Sequence, residues 1–325
     1  MTLGRALRSP SSENLTLLRI VLAVAVIVSH AWPLALGAGT GEPLEYLTGR
    51  SLGGWAVGVF FFLSGLLITG SAERNDVARF WQARVCRIFP GLAVALIVTA
   101  SLALASGAST NLQQLTEWYL RAITLVSIEH RIAGAFALNP YPEVVNGPLW
   151  SLFHEVVAYA LCAAFVLAGG TRRTTLVIAL VVVTTALAWG HDVLPGRLAT
   201  FAPLFAAFCW GMAAYVFRDR IRVNLFLALA GMTLALVLPW TIVTGVVAGG
   251  LVIFALRCPI FPPMKDVSYG LYIYGWPVAQ TVVALLPGLS PEALAIISVF
   301  ATYPLAWISW TYAESPGLTW RRVEV

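Results

Sequence analysis

Charge is what this chain has least of. Only 11% of its 325 residues are Asp, Glu, Lys or Arg, against about a quarter in an ordinary soluble domain. With 59% hydrophobic residues and a mean hydropathy of +0.83, that scarcity excludes a water-soluble globular class. Cysteine is scarce too, and Cys86, Cys162, Cys209 and Cys258 stand apart from one another, so neither a disulfide framework nor a metal-ligand spacing is present. There is no internal repeat, no low-complexity tract and no soluble domain boundary; the longest polar-containing interruption runs over about 107–147. The formal charge of +5 reflects membrane topology rather than nucleic-acid binding.

What the chain has instead is hydrocarbon. Apolar runs fall at about 15–36, 52–70, 89–106, 148–168, 174–189, 198–217, 223–238, 241–256, 267–286 and 293–312. Runs of this length cross or nearly cross a bilayer as helices, which predicts an all-α polytopic transmembrane bundle of about ten helices. The shortest runs are 174–189 and 241–256, and Leu115–Ile128 is amphipathic enough to lie along the interface. The whole of 1–325 reads as a single membrane domain with its core over 15–312 and no appended soluble domain. Placing both termini in the cytoplasm leaves only Arg50, Arg121, Arg131 and Arg197 outside, and puts Arg74, Arg79, Arg84, Arg87, Arg321, Arg322 and the remaining cations inside. The basic N-terminus before the first run imitates a secretory signal. A run that spans and carries Arg19 reads as a retained anchor.

Arg19 and His30 lie on that first run with almost nothing but apolar side chains between them. At 100° per residue they return to within roughly 20° of one helix face, about 16 Å apart, so both look into one lengthwise groove. An intramembrane guanidinium is costly to insert, and its companion on the same stripe titrates nearest neutral pH. The bland alternative is a snorkelling arginine and a packing histidine. A second stripe, Ser151, His154, Glu155, Tyr159 and Cys162, shares one face of the fourth run, with a carboxylate in mid-span. Further stripes carry Tyr269, Tyr272, Trp276 and Gln280, and Tyr303, Trp307, Trp310 and Glu314; aromatic stripes also serve packing and interface belts. The inner loop after the second run holds Arg74, Arg79, Arg84 and Arg87 among aromatics, and Arg84 and Arg87 share a face if Asp76 caps a short helix there. Guanidinium forks suit phosphate oxygens, and they equally suit a positive-inside anchor. His154-Glu155-Val156-Val157-Ala158 has Ala where a zinc protease needs its second histidine, so no metal is expected. His130 and His191 fall in outer loops and read as solvated.

Six blocks then resemble the acyltransferase-3 family of integral-membrane O-acyltransferases. They are the Arg-x10-His pair Arg19 and His30; Val59 to Ile68, containing Ser64-Gly65; Arg84-Val85-Cys86-Arg87-Ile88-Phe89-Pro90; Gly147 to Glu155, containing Trp150; Ser268 to Pro277; and Glu314-Ser315-Pro316. The likeness runs from about residue 14 to 316. Many members carry His where this chain has Gly275, and some append a periplasmic extension that is not seen here. The resemblance implies transfer of an acyl group, most often acetyl, from cytoplasmic acyl-CoA to a hydroxyl of a surface or lipid-linked saccharide at the bacterial inner membrane. Acyl-CoA is then a donor substrate and no cofactor is permanently bound. In that frame His30 is the general base, and Glu155 orients either His30 or the acceptor hydroxyl. Arg19, Arg84 and Arg87 grip coenzyme phosphates. Ser64, Trp150, Ser151, Tyr159, Tyr272 and Glu314 line the cavity or hold the acceptor, with Ser64-Gly65 a weaker candidate for oxyanion contact. A covalent acyl-enzyme on Ser64, Ser151 or Cys162 lacks a sequence-evident base partner, which favours direct transfer. The rival classes are a secondary transporter of a sugar or lipid-linked intermediate, against which the absence of paired polar halves counts, and a non-catalytic scaffold.

Overall fold

The computed structural model describes residues 1–233 and 237–320. Part of the expected 223–238 run, and Arg321 and Arg322 of the inner-cation set, lie outside the described residues. The described residues are helical, with two isolated bridges, Thr2 to Arg222 and Arg131 to Val144, in place of any named strand. The main helices are α1 (Asn14–Leu36), α2 (Leu52–Arg74), α3 (Val77–Ala105), α4 (Leu112–Ile123), α5 (Trp150–Leu167), α6 (Thr174–Trp189), α7 (Arg197–Val216), α8 (Leu225–Thr233), α9 (Trp240–Arg257), α10 (Ser268–Leu285) and α11 (Pro291–Ser309).

Seven helical stretches among the described residues are long and apolar enough to cross a membrane: those containing α1, α2, α3, α5, α7, α9 and α11. Three expected spans fall short of that measure for different reasons. α6 has 16 residues, and α8 has 9. α10 reaches 18 residues but intersperses Ser268, Tyr269, Tyr272, Tyr274 and Gln280 among its apolar positions. Asp76 does cap a helix, its carboxylate accepting from Arg79 N at 2.8 Å. That helix is not short, however: it continues through Arg84, Arg87 and Pro90 for 29 residues, so the basic loop and the third span are one element. The amphipathic α4 starts earlier than expected, at a reciprocal capping box in which Asn111 Oδ1 accepts from Gln114 N (2.9 Å) and Gln114 Oε1 from Asn111 N (3.0 Å).

The chain divides into two compact units, one of 1–22, 43–80 and 154–264 and the other of 23–42, 81–153 and 265–325. In the first, α2, α7 and α9 run side by side in the same direction. Gly65 meets Phe208 and Met212, Gly70 meets Tyr215, and Gly58 meets Thr244. The α2/α7 crossing is so close that a Cβ at Gly65 or Gly211 would run into the facing backbone carbonyl of Phe208 or Phe62. α6 turns back into α7 through a short link and is tied to it by Trp210 Nε1 donating to Thr185 Oγ1 at 3.1 Å. In the second unit α10 and α11 pack as an antiparallel pair at Gly270 and Ala306. The segment between α4 and α5 is fastened to α10 by side-chain hydrogen bonds. Gln280 Nε2 donates to Tyr141 O (2.7 Å) and Val144 O (2.9 Å), Asn139 Nδ2 to Gln280 Oε1 (2.7 Å), and Asn146 Nδ2 to Ile273 O (3.0 Å).

Candidate functional site

In the first unit the sequence-expected carboxylate is built into a hydroxyl cluster. Glu155 Oε1 accepts from Ser64 Oγ at 3.3 Å and from the Tyr159 hydroxyl one helical turn along α5. Tyr159 is buried and Glu155 half-buried. Below Ser64, Thr69 Oγ1 donates to Gly65 O (2.7 Å) and lies 3.6 Å from Cys162 Sγ. His154, the neighbour of Glu155, turns elsewhere: its Nε2 is 3.1 Å from Thr200 Oγ1, and its ring stacks on Phe201. Arg19 is half-buried on the part of α1 that belongs to this unit.

In the second unit His30, half-buried near the far end of α1, packs its ring edge-on against Trp276 with centroids 5.0 Å apart and planes at 73°. Trp276 is itself held. Its indole Nε1 donates to Val144 O at 2.8 Å, Tyr141 packs edge-on at 5.6 Å, and the Gly147 backbone is so close that a Cβ would sit 3.1 Å from the ring. Nearby, Ser151 Oγ and Tyr272 OH are 2.6 Å apart and both reach Pro148 O. Trp150, at the start of α5, is 38% exposed, so the polar stripe of that helix begins one residue further on.

Gly275, where many members of the resembled family have His, faces Ile27, one turn before His30 on α1. A Cβ there would lie 2.6 Å from Ile27 Cγ1. The space another imidazole would need is filled by the isoleucine.

Arg87 is drawn into carboxylates of its own unit. Nη2 bonds Asp266 Oδ2 at 2.8 Å and Nη1 lies 3.9 Å from Glu314 Oε2, while the guanidinium lies 5.5 Å from the centre of the Trp310 ring. Glu314 is completely buried, in a π-helical turn over Trp310–Glu314, and accepts from Ser309 Oγ at 3.0 Å. Single π-turns inside α-helices often mark functional positions. Arg84 is half-buried on the same helix as Arg87. The stripe of Tyr303, Trp307, Trp310 and Glu314 splits: Tyr303 (51%) and Trp307 (40%) face outward, and the buried side of α11 carries Ser298, Thr302 and Ser309. His130 and His191 are not simply solvated. His130 Nδ1 bonds Asn146 O at 3.0 Å and His191 packs edge-on against Trp240. Residues that sequence reasoning passed over are Asn139 and Asn146, which bond to Gln280 and Ile273 of α10. No periodicity could pair two asparagines of an irregular segment with a distant helix.

Apolar helices that carry an imidazole, a hydroxyl-bound carboxylate and half-buried arginines are what an integral-membrane enzyme requires. Comparison with known proteins narrows the class. Residues 12–311 match the family model described as an acyltransferase domain, and the chain belongs to that family, the acyltransferase-3 group. It is 29% identical to the O-acetyl transferase of Shigella phage Sf6 over 93% of this chain and 94% of that one. It is 28% identical to nodulation protein 10 of Rhizobium leguminosarum bv. viciae over 95% and 94%. A shorter match, 31% over 48% of this chain and 38% of the relative, is to the acyltransferase MdmB of Streptomyces mycarofaciens. No solved structure matches the chain. The chain is therefore an acyltransferase, and the transporter and scaffold readings lose their footing.

Proposed function

We propose that the chain transfers an acetyl group from cytoplasmic acyl-CoA to a hydroxyl of a surface or lipid-linked saccharide, within the bacterial inner membrane, as a bundle of about ten helices with both ends inside. The observation that carries the reading is His30. An imidazole on a spanning helix, wedged against an indole that is itself hydrogen-bonded to backbone, is positioned rather than merely accommodated. A thioester donor is already activated, so the protein has three tasks: to deprotonate the alcohol, to hold both reactants, and to stabilise the tetrahedral oxyanion. His30 takes the hydroxyl proton as the new C–O bond forms. The intermediate collapses by breaking the C–S bond, and the imidazolium returns the proton to the departing thiolate. Glu155 is the second catalytic group, its carboxylate fixed by the Ser64 and Tyr159 hydroxyls. Arg19, Arg84 and Arg87 supply cationic donors to the coenzyme phosphates. The relative named as an O-acetyl transferase supports acetyl as the group moved. Ser151, Tyr272, Trp150 and Glu314 line the acceptor path.

The test uses the purified chain in lipid nanodiscs. It should bind acetyl-CoA and, when given membranes containing the acceptor, release free CoA in step with acetate incorporation. Failure to bind CoA, or CoA release without incorporation, would overturn the reading.

A further inference from the structure

Arg50 is a charge without an evident counterpart. Its Nε and Nη1 atoms are buried and have no hydrogen-bond partner among the described residues. The guanidinium lies 4.0 Å over the Trp240 ring and against the α2 backbone, where a Cβ at Gly54 would be 2.9 Å from Nε and one at Gly58 3.7 Å from Nη2. His191 meets the same indole edge-on at 5.2 Å, and its Nδ1 is also buried without a partner. Asp192, next to His191 in the chain, is 86% exposed and lies 3.1 Å from His191 Nε2. Burial pulls the Arg50 pKa down to about 9, which still leaves it charged at neutral pH. Two helices begin here. Arg50 immediately precedes Ser51, the N-cap of α2, and Trp240 opens α9 behind Pro239 without a side-chain cap, so their positive ends add to the guanidinium. A buried, unpaired guanidinium is expensive to keep, and a partner that neutralises it removes the expense. Leu44 of the short Pro43–Thr48 helix packs, as Trp240 does, on the buried cluster of Trp55, Val243 and Val247, while Tyr46 and Leu47 of that helix are exposed.

We propose that Arg50, His191 and Trp240 form an oxyanion-binding site that holds a carboxylate or phosphate group of the saccharide acceptor. Nε and Nη1 are unpartnered donors on different edges of one guanidinium, each able to meet an oxygen of such a group, His191 Nδ1 is a third unpartnered ring nitrogen, and the indole is a flat wall beside them. Arg50 is one of the few cations placed on the outer side by the charge distribution of the sequence, the side on which a surface saccharide is presented. The oxyanion site stands on the unpartnered donors; naming the acceptor as carrier rests on the function proposed above.

Thermal unfolding of the purified full chain tests it, with glucuronate, glucose 1-phosphate, inorganic phosphate and glucose compared at equal ionic strength. Ligands that bind the folded state raise the midpoint. Glucuronate, glucose 1-phosphate or both should raise it, and glucose should not; which anion acts tells carboxylate from phosphate. Arg50→Met should unfold no earlier than wild type without ligand, and should lose the rise. His191→Phe should weaken the apparent affinity by roughly tenfold. An undiminished rise in Arg50→Met, an equal rise with glucose, or a ligand-free Arg50→Met that unfolds well before wild type would overturn the site. A rise with inorganic phosphate as large as with the sugar anions would overturn the saccharide assignment. His30→Ala separates the two proposals. An Arg50-dependent rise alongside undiminished transfer in that variant sinks the base and spares the site, whereas loss of transfer without any rise sinks the site alone.

Discussion

Replacing Trp276 by Leu removes two contacts whose size can be worked out. The indole N–H to Val144 O bond, at 2.8 Å, is a neutral buried hydrogen bond with a net contribution of about 1 kcal/mol. Val144 O keeps the 2.9 Å bond from Gln280 Nε2, so no carbonyl is orphaned and the lower end of the range applies. The edge-on packing against His30 contributes about 1 kcal/mol more. If both act by holding the imidazole in its reactive orientation, the sum of about 2 kcal/mol raises the barrier and lowers kcat about thirtyfold. Trp276→Phe keeps a ring and loses only the hydrogen bond, for about fivefold. The assay is the initial rate of radiolabelled acetate transfer in membrane vesicles at saturating acetyl-CoA, normalised to inserted protein. KM for acetyl-CoA should stay within about twofold for both variants, because the contacts concern the base and not donor affinity. A wild-type kcat in Trp276→Leu would refute the positioning argument. So would a loss seen entirely in KM.

Other consequences follow from the same geometry. Tyr159→Phe and Ser64→Ala should each lower transfer several-fold, and the double variant should fall by more than the product of the two, because both hydroxyls share Glu155 Oε1; rates that simply multiply would show that the hydroxyls act independently. Gly275→His should destabilise the protein by about 1–3 kcal/mol through overpacking against Ile27, seen as a lower thermal midpoint, with Ile27→Ala restoring it; an unchanged midpoint in the single variant would mean the contact is not tight. Arg87→Ala should destabilise the protein by about 3 kcal/mol because Asp266 and the buried Glu314 lose their cation, and an added Glu314→Gln should recover part of that in a denaturation series. Charge reversal at Arg84 should raise the apparent acetyl-CoA constant far more than it alters insertion; an unchanged constant would return that arginine to membrane anchoring.

The membrane class, most spans and the polar face of α5 were legible because they depend on composition and on a period of 3.6 residues. Tyr159 falls one turn from Glu155 by that period alone. Ser64 does not: its approach to Glu155 is a tertiary fact, like the carbonyl contacts of Gly65 and Gly211, and a helical glycine announces a close crossing without naming its partner. The start of the third span was misjudged because charge was taken as a sign of loop. Arg79, Arg84 and Arg87 are good helix formers, and once Asp76 caps the first turn nothing before Ala105 stops the helix. The aromatic stripe of α11 mixed two environments, since Tyr303 and Trp307 face outward while Glu314 is buried through a π-turn that shifts the helical phase. Least legible was the 107–147 segment. Asn139, Tyr141 and Val144 hold Trp276 and Gln280, and Asn146 holds the Ile273 carbonyl, through bonds that no local pattern encodes.

The claim on which the account turns is that the His30 imidazole removes the proton from the acceptor hydroxyl. The direct measurement is transfer of radiolabelled acetate from acetyl-CoA to membrane acceptor by His30→Gln, with insertion level and CoA affinity determined on the same preparation. The account predicts normal insertion, CoA affinity within about twofold of wild type, and transfer reduced by at least a hundredfold, in the range expected for loss of a general base. Transfer at the wild-type rate by an inserted, CoA-binding His30→Gln would contradict it.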